Sequence, residues 1–130
     1  MVKPISILPR EAPVREGPGD SLSTTISELN RVVHEPARLA ILTVLASCES
    51  ADFTFLETAT GLTKGNLSVQ LTRLEEAALI SIEKAVKKNR TATSARISAE
   101  GRYQLGRYWR QMEEIRGATT RAGDAASRQQ

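Results

Sequence analysis

Residues 55–80 read FLETATGLTKGNLSVQLTRLEEAALI, and they carry the strongest structural signals in the chain. Thr54 and Glu57 match a capping box that opens a short helix, which Gly61 can end as a left-handed C-cap. Thr63 then caps a longer helix. Its apolar residues recur at spacings of 4, 3 and 4, at Leu67, Leu71, Leu74 and Ala78. The pattern predicts two helices around a turn with glycine, the second with one narrow buried stripe.

A strand hairpin is predicted directly after the longer helix. Ile80 and Ile82 alternate with polar residues, which is typical of a half-buried strand, and residues 87–90, KKNR, supply a basic turn. The returning strand runs through Thr93, Ala95 and Ile97. Two helices around a short turn, followed by a basic hairpin, make the winged helix-turn-helix arrangement.

Further helices are predicted on both sides of this unit. Thr25 with Glu28 matches a capping box for a first helix, and Pro36 suits the first turn of an apolar second helix. Ser98 is the predicted N-cap of a last helix. The predicted fold class is therefore mainly α with a small β-hairpin wing, a winged helix-turn-helix with extra N- and C-terminal helices.

Composition separates one folded domain from two tails. Residues 1–21 hold four of the five prolines and show no apolar periodicity, so this arm is predicted to be disordered. Residues 117–130 contain no large apolar side chain and are also predicted to be disordered. Residues 22–116 then form the winged helix domain together with its terminal dimerisation helices.

Composition also excludes several classes of function. A chain of 130 residues builds one small core, so an enclosed active site is not expected and an enzyme is not predicted. One cysteine, Cys48, and one histidine, His34, rule out an intramolecular disulfide, a Cys-cluster zinc site and a histidine metal motif. No cofactor, membrane span or signal peptide is expected, and a cytoplasmic location is predicted.

The basic charge is concentrated in one part of the chain. The sequence has 18 Lys and Arg against 15 Asp and Glu, a net charge of only +3. Residues 62–110 alone hold ten basic and four acidic residues, an excess of +6. This asymmetry predicts a polyanion as partner, and the predicted arrangement of helices fits double-stranded DNA.

The exposed face of the longer helix is the predicted recognition surface. It carries small and hydrogen-bonding side chains and no acid before Glu75, so it can approach base edges in a major groove. Asn66 and Gln70 suit adenine, and Arg73 suits guanine or a phosphate. The predicted contact residues are Thr63, Lys64, Gly65, Asn66, Ser68, Val69, Gln70, Thr72 and Arg73.

The basic hairpin is the second predicted DNA contact. Its cations are placed to reach the flanking backbone or an adjacent minor groove. An alternative is a solvated hairpin whose lysines only prevent edge-to-edge association of sheets, and the helix before it favours DNA. The predicted contact residues are Lys87, Lys88, Asn89, Arg90 and Arg96.

Apolar residues in the first and last helices predict a homodimer interface. In so short a chain these side chains exceed what one small core needs, although plain core packing is the alternative. Tyr108 and Trp109 are the expected anchors. The predicted interface residues are Ile26, Leu29, Val33, Leu105, Tyr108, Trp109, Met112 and Ile115.

Three segments carry a family resemblance: residues 55–80, residues 36–42, PARLAIL, and residues 97–101, ISAEG. Together they resemble the winged helix-turn-helix transcriptional regulators of bacteria, with the MarR-like and ArsR-like groups nearest. The resemblance implies a homodimer, joined through terminal helices, on a pseudo-palindromic operator. Ala78 departs from the family, which usually has glycine at this corner, and no metal-sensing set of the ArsR type is present. By position, the family's DNA contacts map onto Lys64, Asn66, Ser68, Val69, Gln70 and residues 87–90.

The sequence therefore predicts a sequence-specific regulator of transcription, a repressor, that binds double-stranded DNA as a homodimer. The second hypothesis is a winged-helix module that binds a partner protein. That module requires exposed apolar residues on the surface from Gly65 to Arg73, where only Val69 qualifies. A small-molecule effector of unknown identity is a further candidate partner, and no residue in the sequence identifies it.

Overall fold

Five helices and three strands follow one another in the computed structural model, which describes residues 21–128. They are α1 (Leu22–Ser27), α2 (Pro36–Ala46), β1 (Ala51–Asp52), α3 (Phe53–Thr60), α4 (Lys64–Glu76), β2 (Ile80–Lys87), β3 (Arg90–Ile97) and α5 (Ala99–Arg128). The mainly helical class with a small β-hairpin wing is confirmed. The disordered arm predicted for residues 1–21 lies outside the described residues, apart from Ser21.

The turn between α3 and α4 has the two caps that the sequence predicts, Gly61 and Thr63. Gly61 adopts φ 76° after α3, and its N–H donates to the carbonyl of Glu57. Thr63 caps α4, because its side-chain oxygen accepts from the backbone N–H of Asn66 at 3.1 Å. Pro36 lies in the first turn of α2, where its missing N–H costs nothing.

Two predicted capping boxes are wrong. The first helix starts earlier than expected, at a cap formed by Ser21, and Thr25 lies inside it. α3 is capped by Asp52, whose carboxylate accepts from the N–H of Phe55 at 2.7 Å, and Thr54 lies in its first turn. In both places another residue that can cap a helix lies a few positions upstream. The spacing between a threonine and a glutamate does not show which of the two candidates caps the helix.

The three strands form one antiparallel sheet in the order β1-β3-β2. The hairpin register matches the predicted alternation, since Ile80 pairs with Ile97 and Ile82 with Ala95. Lys88 and Asn89 form its two-residue turn with φ of 51° and 63°, the positive values of a type I′ turn. β1 was not predicted, because two residues are too short to show alternation.

The core lies between α2, α3, α4, the sheet and the first half of α5. Leu67, Leu71 and Leu74 of α4 are buried, which confirms three residues of the predicted stripe. The fourth, Ala78, was placed there wrongly, because α4 ends at Glu76 and Ala78 is exposed. The largest fully buried side chains are Val33, Ile41, Leu42, Leu45, Leu56, Leu67 and Leu74.

Ala78 turns the corner between α4 and the wing in a left-handed conformation, with φ 64°. Its N–H donates to the carbonyl of Glu75 at 2.9 Å, and the N–H of Leu79 donates to the carbonyl of Leu74 at 3.0 Å. These two bonds form a Schellman motif, which normally has glycine at the left-handed position. An alanine therefore takes the left-handed position at which the regulators that the sequence resembles are expected to have glycine.

We expect Ala78→Gly to stabilise the protein by about 0.5–1 kcal/mol. The left-handed conformation costs an alanine roughly 1–2 kcal/mol, and the greater freedom of glycine in the unfolded chain offsets part of that gain. Thermal unfolding measures the change. Ala77→Gly is the matched control, because Ala77 has φ −85° and gains nothing from glycine. A loss of stability in Ala78→Gly would contradict the left-handed corner.

Helix α5 is longer than the sequence predicted. It runs from Ala99 to Arg128, and residues 119–128 are exposed throughout. The prediction of a disordered tail from Gly117 therefore differs from the structure over residues 117–128. The prediction relied on missing apolar anchors, but the segment continues a helix already nucleated upstream, and its alanines and arginines favour that conformation.

Candidate nucleic-acid interface

Helix α4 presents a polar face because only its leucine stripe enters the core. The side chains between the leucines point outward, and Val69, at 49% exposure, is the largest apolar group on this face. Gly65 leaves open space, since a Cβ built there meets no atom within 4 Å. The predicted recognition residues that lie exposed are Thr63, Lys64, Gly65, Asn66, Ser68, Val69, Thr72 and Arg73, while Gln70 is half-buried.

Lys64, at the start of α4, is paired with an acid that was not among the predicted site residues. Its Nζ lies 3.0 Å and 3.1 Å from the two carboxylate oxygens of Glu57 on α3. The lysine side chain remains 78% exposed. A phosphate that binds Lys64 must therefore compete with Glu57, so the charge available to DNA at this point is reduced.

We expect Glu57→Gln to raise the affinity for duplex DNA roughly two- to fivefold at low salt. The change frees the Lys64 ammonium, and an exposed ion pair of this kind is worth up to about 1 kcal/mol. Titration of the protein with a labelled duplex measures the gain. Glu113→Gln is the control, because it also removes one carboxylate from an ion pair with an exposed cation, in this case Arg116 on α5. Equal affinities for both variants would contradict a DNA contact by Lys64.

Gln70 is held at both ends of its side-chain amide. Its Oε1 accepts from Nη1 of Arg38 at 2.8 Å, and its Nε2 donates to Oδ1 of Asn66 at 3.0 Å. The two residues that the sequence predicted as independent adenine contacts therefore form one unit. Arg38 was missed, because its partner lies 32 residues away in the chain. The one feature of the sequence that could have indicated a role for Arg38 is its charge within the otherwise apolar residues 36–42.

The wing presents its cations at an exposed turn. Lys88, Asn89 and Arg90 are exposed at the tip, and Arg96 is exposed on β3. Lys87 and Arg90 are backbone partners in the hairpin, directly next to its two-residue turn. Lys88 and Arg90 also line a groove against the start of α3, formed with residues 52–54. The wing tip therefore lies beside the first helix of the helix-turn-helix.

The predicted interface residues of the terminal helices divide into two groups. Leu29, Val33, Leu105 and Tyr108 are buried in the core of the chain itself, and Met112 and Ile115 pack against that core. Ile26 and Trp109 remain 44% and 46% exposed. Plain core packing thus accounts for most of the predicted interface residues. Of these eight, Ile26 and Trp109 leave large apolar surface for a partner, and Leu22 of α1 and Tyr103 of α5 are exposed as well.

A cavity of about 530 Å³ opens beside α1 and the loop that follows it. Apolar side chains share its wall with the imidazole of His34 and the guanidinium of Arg31, and the Arg31 charge suits a small anionic ligand. His34 at its edge is hydrogen bonded to α5, with Nδ1 2.8 Å from Oη of Tyr108. The lining residues are Ser23, Ile26, Ser27, Leu29, Arg31 and His34.

Residues 21–128 carry neither a metal-ligand cluster nor a membrane-spanning helix. Within that part of the chain, no three His, Cys, Asp or Glu side chains lie together as metal ligands would. None of the described helices is long and apolar enough to cross a membrane. Cys48 is half-buried, and its Sγ donates to the carbonyl of Val44 at 3.2 Å, as expected of a small core residue.

Comparison with known sequences points to the same part of the chain. The sequence model of the winged helix DNA-binding domain family matches residues 37–116. An uncharacterized protein of Methanocaldococcus jannaschii, MJ0432, is 32% identical over 78 residues, which make up 60% of this chain and 85% of that protein. Residues 37–116, matched by the family model, contain the helix-turn-helix, the wing and the first half of α5.

Comparison with solved structures addresses the fold. A transcriptional regulator homologue from Pyrococcus horikoshii superposes with a TM-score of 0.67 at 22% identity, over 75% of this chain and 95% of that chain. A MarR-family transcriptional regulator from Silicibacter pomeroyi superposes with a TM-score of 0.54 at 17% identity, over 75% of this chain and 65% of that chain. The fold is thus similar to that of MarR-like regulators.

Proposed function

The chain belongs to the winged helix DNA-binding domain family, and from this premise we propose that it is a regulator of transcription that recognises a specific duplex sequence. It acts in the cytoplasm as a repressor, without catalytic activity. The homodimer places one α4 in the major groove of each half of a pseudo-palindromic operator. The half-sites lie about 10 base pairs, or a multiple of that distance, apart.

The exposed face of α4 is the observation that carries this proposal. A helix can read base edges only if its outer side chains are short or able to form hydrogen bonds, and if they do not repel phosphates. From Lys64 to Arg73 the exposed groups meet these conditions, and the first acid follows at Glu75. The cap at Thr63 leaves other N–H groups at the start of α4 available to a backbone phosphate.

The wing supplies sequence-independent affinity in this proposal. Its exposed cations bind phosphates beside the recognised groove or enter an A·T-rich minor groove. Lys88 and Arg90 lie next to the start of α3, so contacts from the wing and from the helix-turn-helix form one continuous interface. Arg96 extends the contact along β3.

The homodimer is proposed from the terminal helices. Residues 119–128 extend α5 without burying any side chain, and Trp109 and Ile26 expose apolar surface nearer the domain. A second copy packed along α5 covers these groups and brings two recognition helices onto one duplex. The cavity beside α1 borders this region, and we propose it as the site of a small anionic effector that Arg31 attracts.

Selection from random duplexes tests the proposed function. The purified protein is incubated with a pool of random double-stranded DNA, and bound fragments are amplified and sequenced. We expect enrichment of a two-fold symmetric sequence with the spacing given above. A pool that stays random would refute sequence-specific recognition. Capture of a protein partner through Val69 together with a random pool would favour the protein-binding module instead.

A further inference from the structure

A chain of three polar side chains connects α2 with the recognition face of α4. Arg38 donates from Nη1 to Oε1 of Gln70 at 2.8 Å, and Gln70 donates from Nε2 to Oδ1 of Asn66 at 3.0 Å. Arg38 and Gln70 are half-buried, whereas Asn66 is exposed. The chain therefore begins inside the domain and ends at the surface proposed to meet base edges.

The direction of these hydrogen bonds is fixed by the chemistry of arginine. A guanidinium group only donates, so the amide of Gln70 must turn its oxygen toward Arg38 and its NH₂ group away. That NH₂ group meets Asn66, which must then offer its own oxygen to Gln70. The Nδ2 of Asn66 makes no hydrogen bond within residues 21–128 and is left for an external acceptor. One cation on α2 thus sets the orientation of two amides on α4.

Arg38 is itself anchored, which keeps this orientation in place before any ligand binds. Its Nε donates to the carbonyl of Val32 at 2.7 Å. The N–H of Val32 donates to Oδ1 of Asn30, and Nδ2 of Asn30 donates to Oε1 of Gln104 on α5. Because the loop before α2 holds the guanidinium, the amides of Gln70 and Asn66 are already ordered in the free protein. DNA binding then costs less conformational entropy.

We propose that Arg38 is a positioning residue for base readout, and that it makes Asn66 a hydrogen-bond donor that selects guanine over adenine. Guanine presents two acceptors, O6 and N7, in the major groove, whereas adenine presents one acceptor, N7, next to a donor, N6. With its oxygen turned to Gln70, Asn66 satisfies guanine better. The inference rests on the proposed function and replaces the expectation that Asn66 reads adenine. The expected preference is about tenfold at the base that Asn66 faces.

Gln70→Glu is the decisive variant, because it reverses the polarity of the chain without changing its shape. The introduced carboxylate still accepts from Arg38 but has no N–H for Asn66. Asn66 must then turn its NH₂ group inward and its oxygen outward. We expect the selected base to change from guanine to one that offers a donor, cytosine through N4 or adenine through N6. The experiment measures which base is selected and not the affinity, since the added negative charge weakens binding to every duplex.

Arg38→Met removes the guanidinium while keeping most of the aliphatic stem. Both amides can then rotate, and we expect the roughly tenfold preference for guanine to disappear. Arg102→Met is the matched control, because Arg102 also donates to a backbone carbonyl, that of Ala46 at 3.0 Å, and its loss removes the same charge. This control should keep the preference. Thermal unfolding establishes that each variant is folded, and Gln70→Glu decides the question if Arg38→Met does not fold.

The outcomes separate this inference from the proposed function. Asn66→Ala identifies the base that Asn66 contacts, because this variant should select no particular base at that position of the duplex. If the wild type selects adenine there, or if Gln70→Glu selects the same base as the wild type, the inference is wrong while sequence-specific recognition stands. If the wild type selects no sequence at all, the proposed function itself fails.

Discussion

The affinity of the protein for duplex DNA is expected to fall about a thousandfold between 50 and 200 mM salt. Each phosphate that is neutralised releases counterions, and the logarithm of the affinity then falls by about 0.9 per logarithmic unit of salt for each such contact. Lys88, Arg90 and Arg96 are exposed on the wing, so a homodimer would make about six such contacts. Fluorescence anisotropy with a selected duplex measures the slope.

Lys88→Ala supplies the control for this prediction. Its loss from both protomers should reduce the slope by about 1.8, from two contacts, and should leave the selected sequence unchanged. A replacement of Glu114 by Gln, remote from the wing in sequence, should not reduce the slope. Affinity that hardly changes with salt would show that the wing does not bind phosphates, and the basic excess of residues 62–110 would then need another explanation.

Replacement of Gly101 by alanine is expected to destabilise the fold by about 3 kcal/mol. Gly101 lies in the first turn of α5, where the helix packs directly on the corner before the wing. A Cβ at this position would overlap the carbonyl oxygen of Leu79, which accepts from the N–H of Ser98, and would lie 2.8 Å from Cγ1 of Ile97. Because the obstruction is backbone, α5 must move, and overpacking of this kind typically costs 1–3 kcal/mol or more.

Gly106→Ala is the matched control for this second prediction. Gly106 lies in the same helix, and a Cβ there would meet only Nη1 of Arg110, at 3.5 Å. Alanine should therefore stabilise α5 by about 0.5–1 kcal/mol through its better helix propensity. Thermal unfolding should separate the two variants by roughly 10 °C or more. Equal melting temperatures would mean that α5 does not approach Leu79 this closely.

Local patterns in the sequence identified the elements of the helix-turn-helix because each depends on a few neighbouring residues. Gly61 and Thr63 form the expected caps, and the leucines of α4 form the expected stripe. The prediction failed where two candidate caps compete, at Thr25 and Thr54, and where a strand of two residues joins the sheet. At Thr54 and at β1 the outcome involves a distant part of the chain, since Ala51 and Asp52 pair with Ala95 and Ser94 of β3.

The residues proposed to contact DNA could be chosen from the sequence, but their chemical roles could not. Periodicity shows which side of α4 is exposed, so the position of Asn66 follows from the leucine stripe. Its partners do not follow, because Arg38 reaches α4 only after α2 has packed against it. Glu57 likewise lies seven residues before Lys64, across a turn whose geometry sets the distance.

The amino-acid sequence alone was enough to predict a winged helix domain, the polar exposed face of its longer helix and the basic excess of residues 62–110. Capping, leucine spacing and charge placement are properties of short segments, and they persist whatever the rest of the chain does. Folding was needed to show that Ala78 makes a left-handed corner, that Gly101 allows close contact with Leu79, and that Arg38, Gln70 and Asn66 form one hydrogen-bonded chain. The physical reason is that hydrogen bonds and close packing act between groups that folding brings together, and their direction depends on that arrangement.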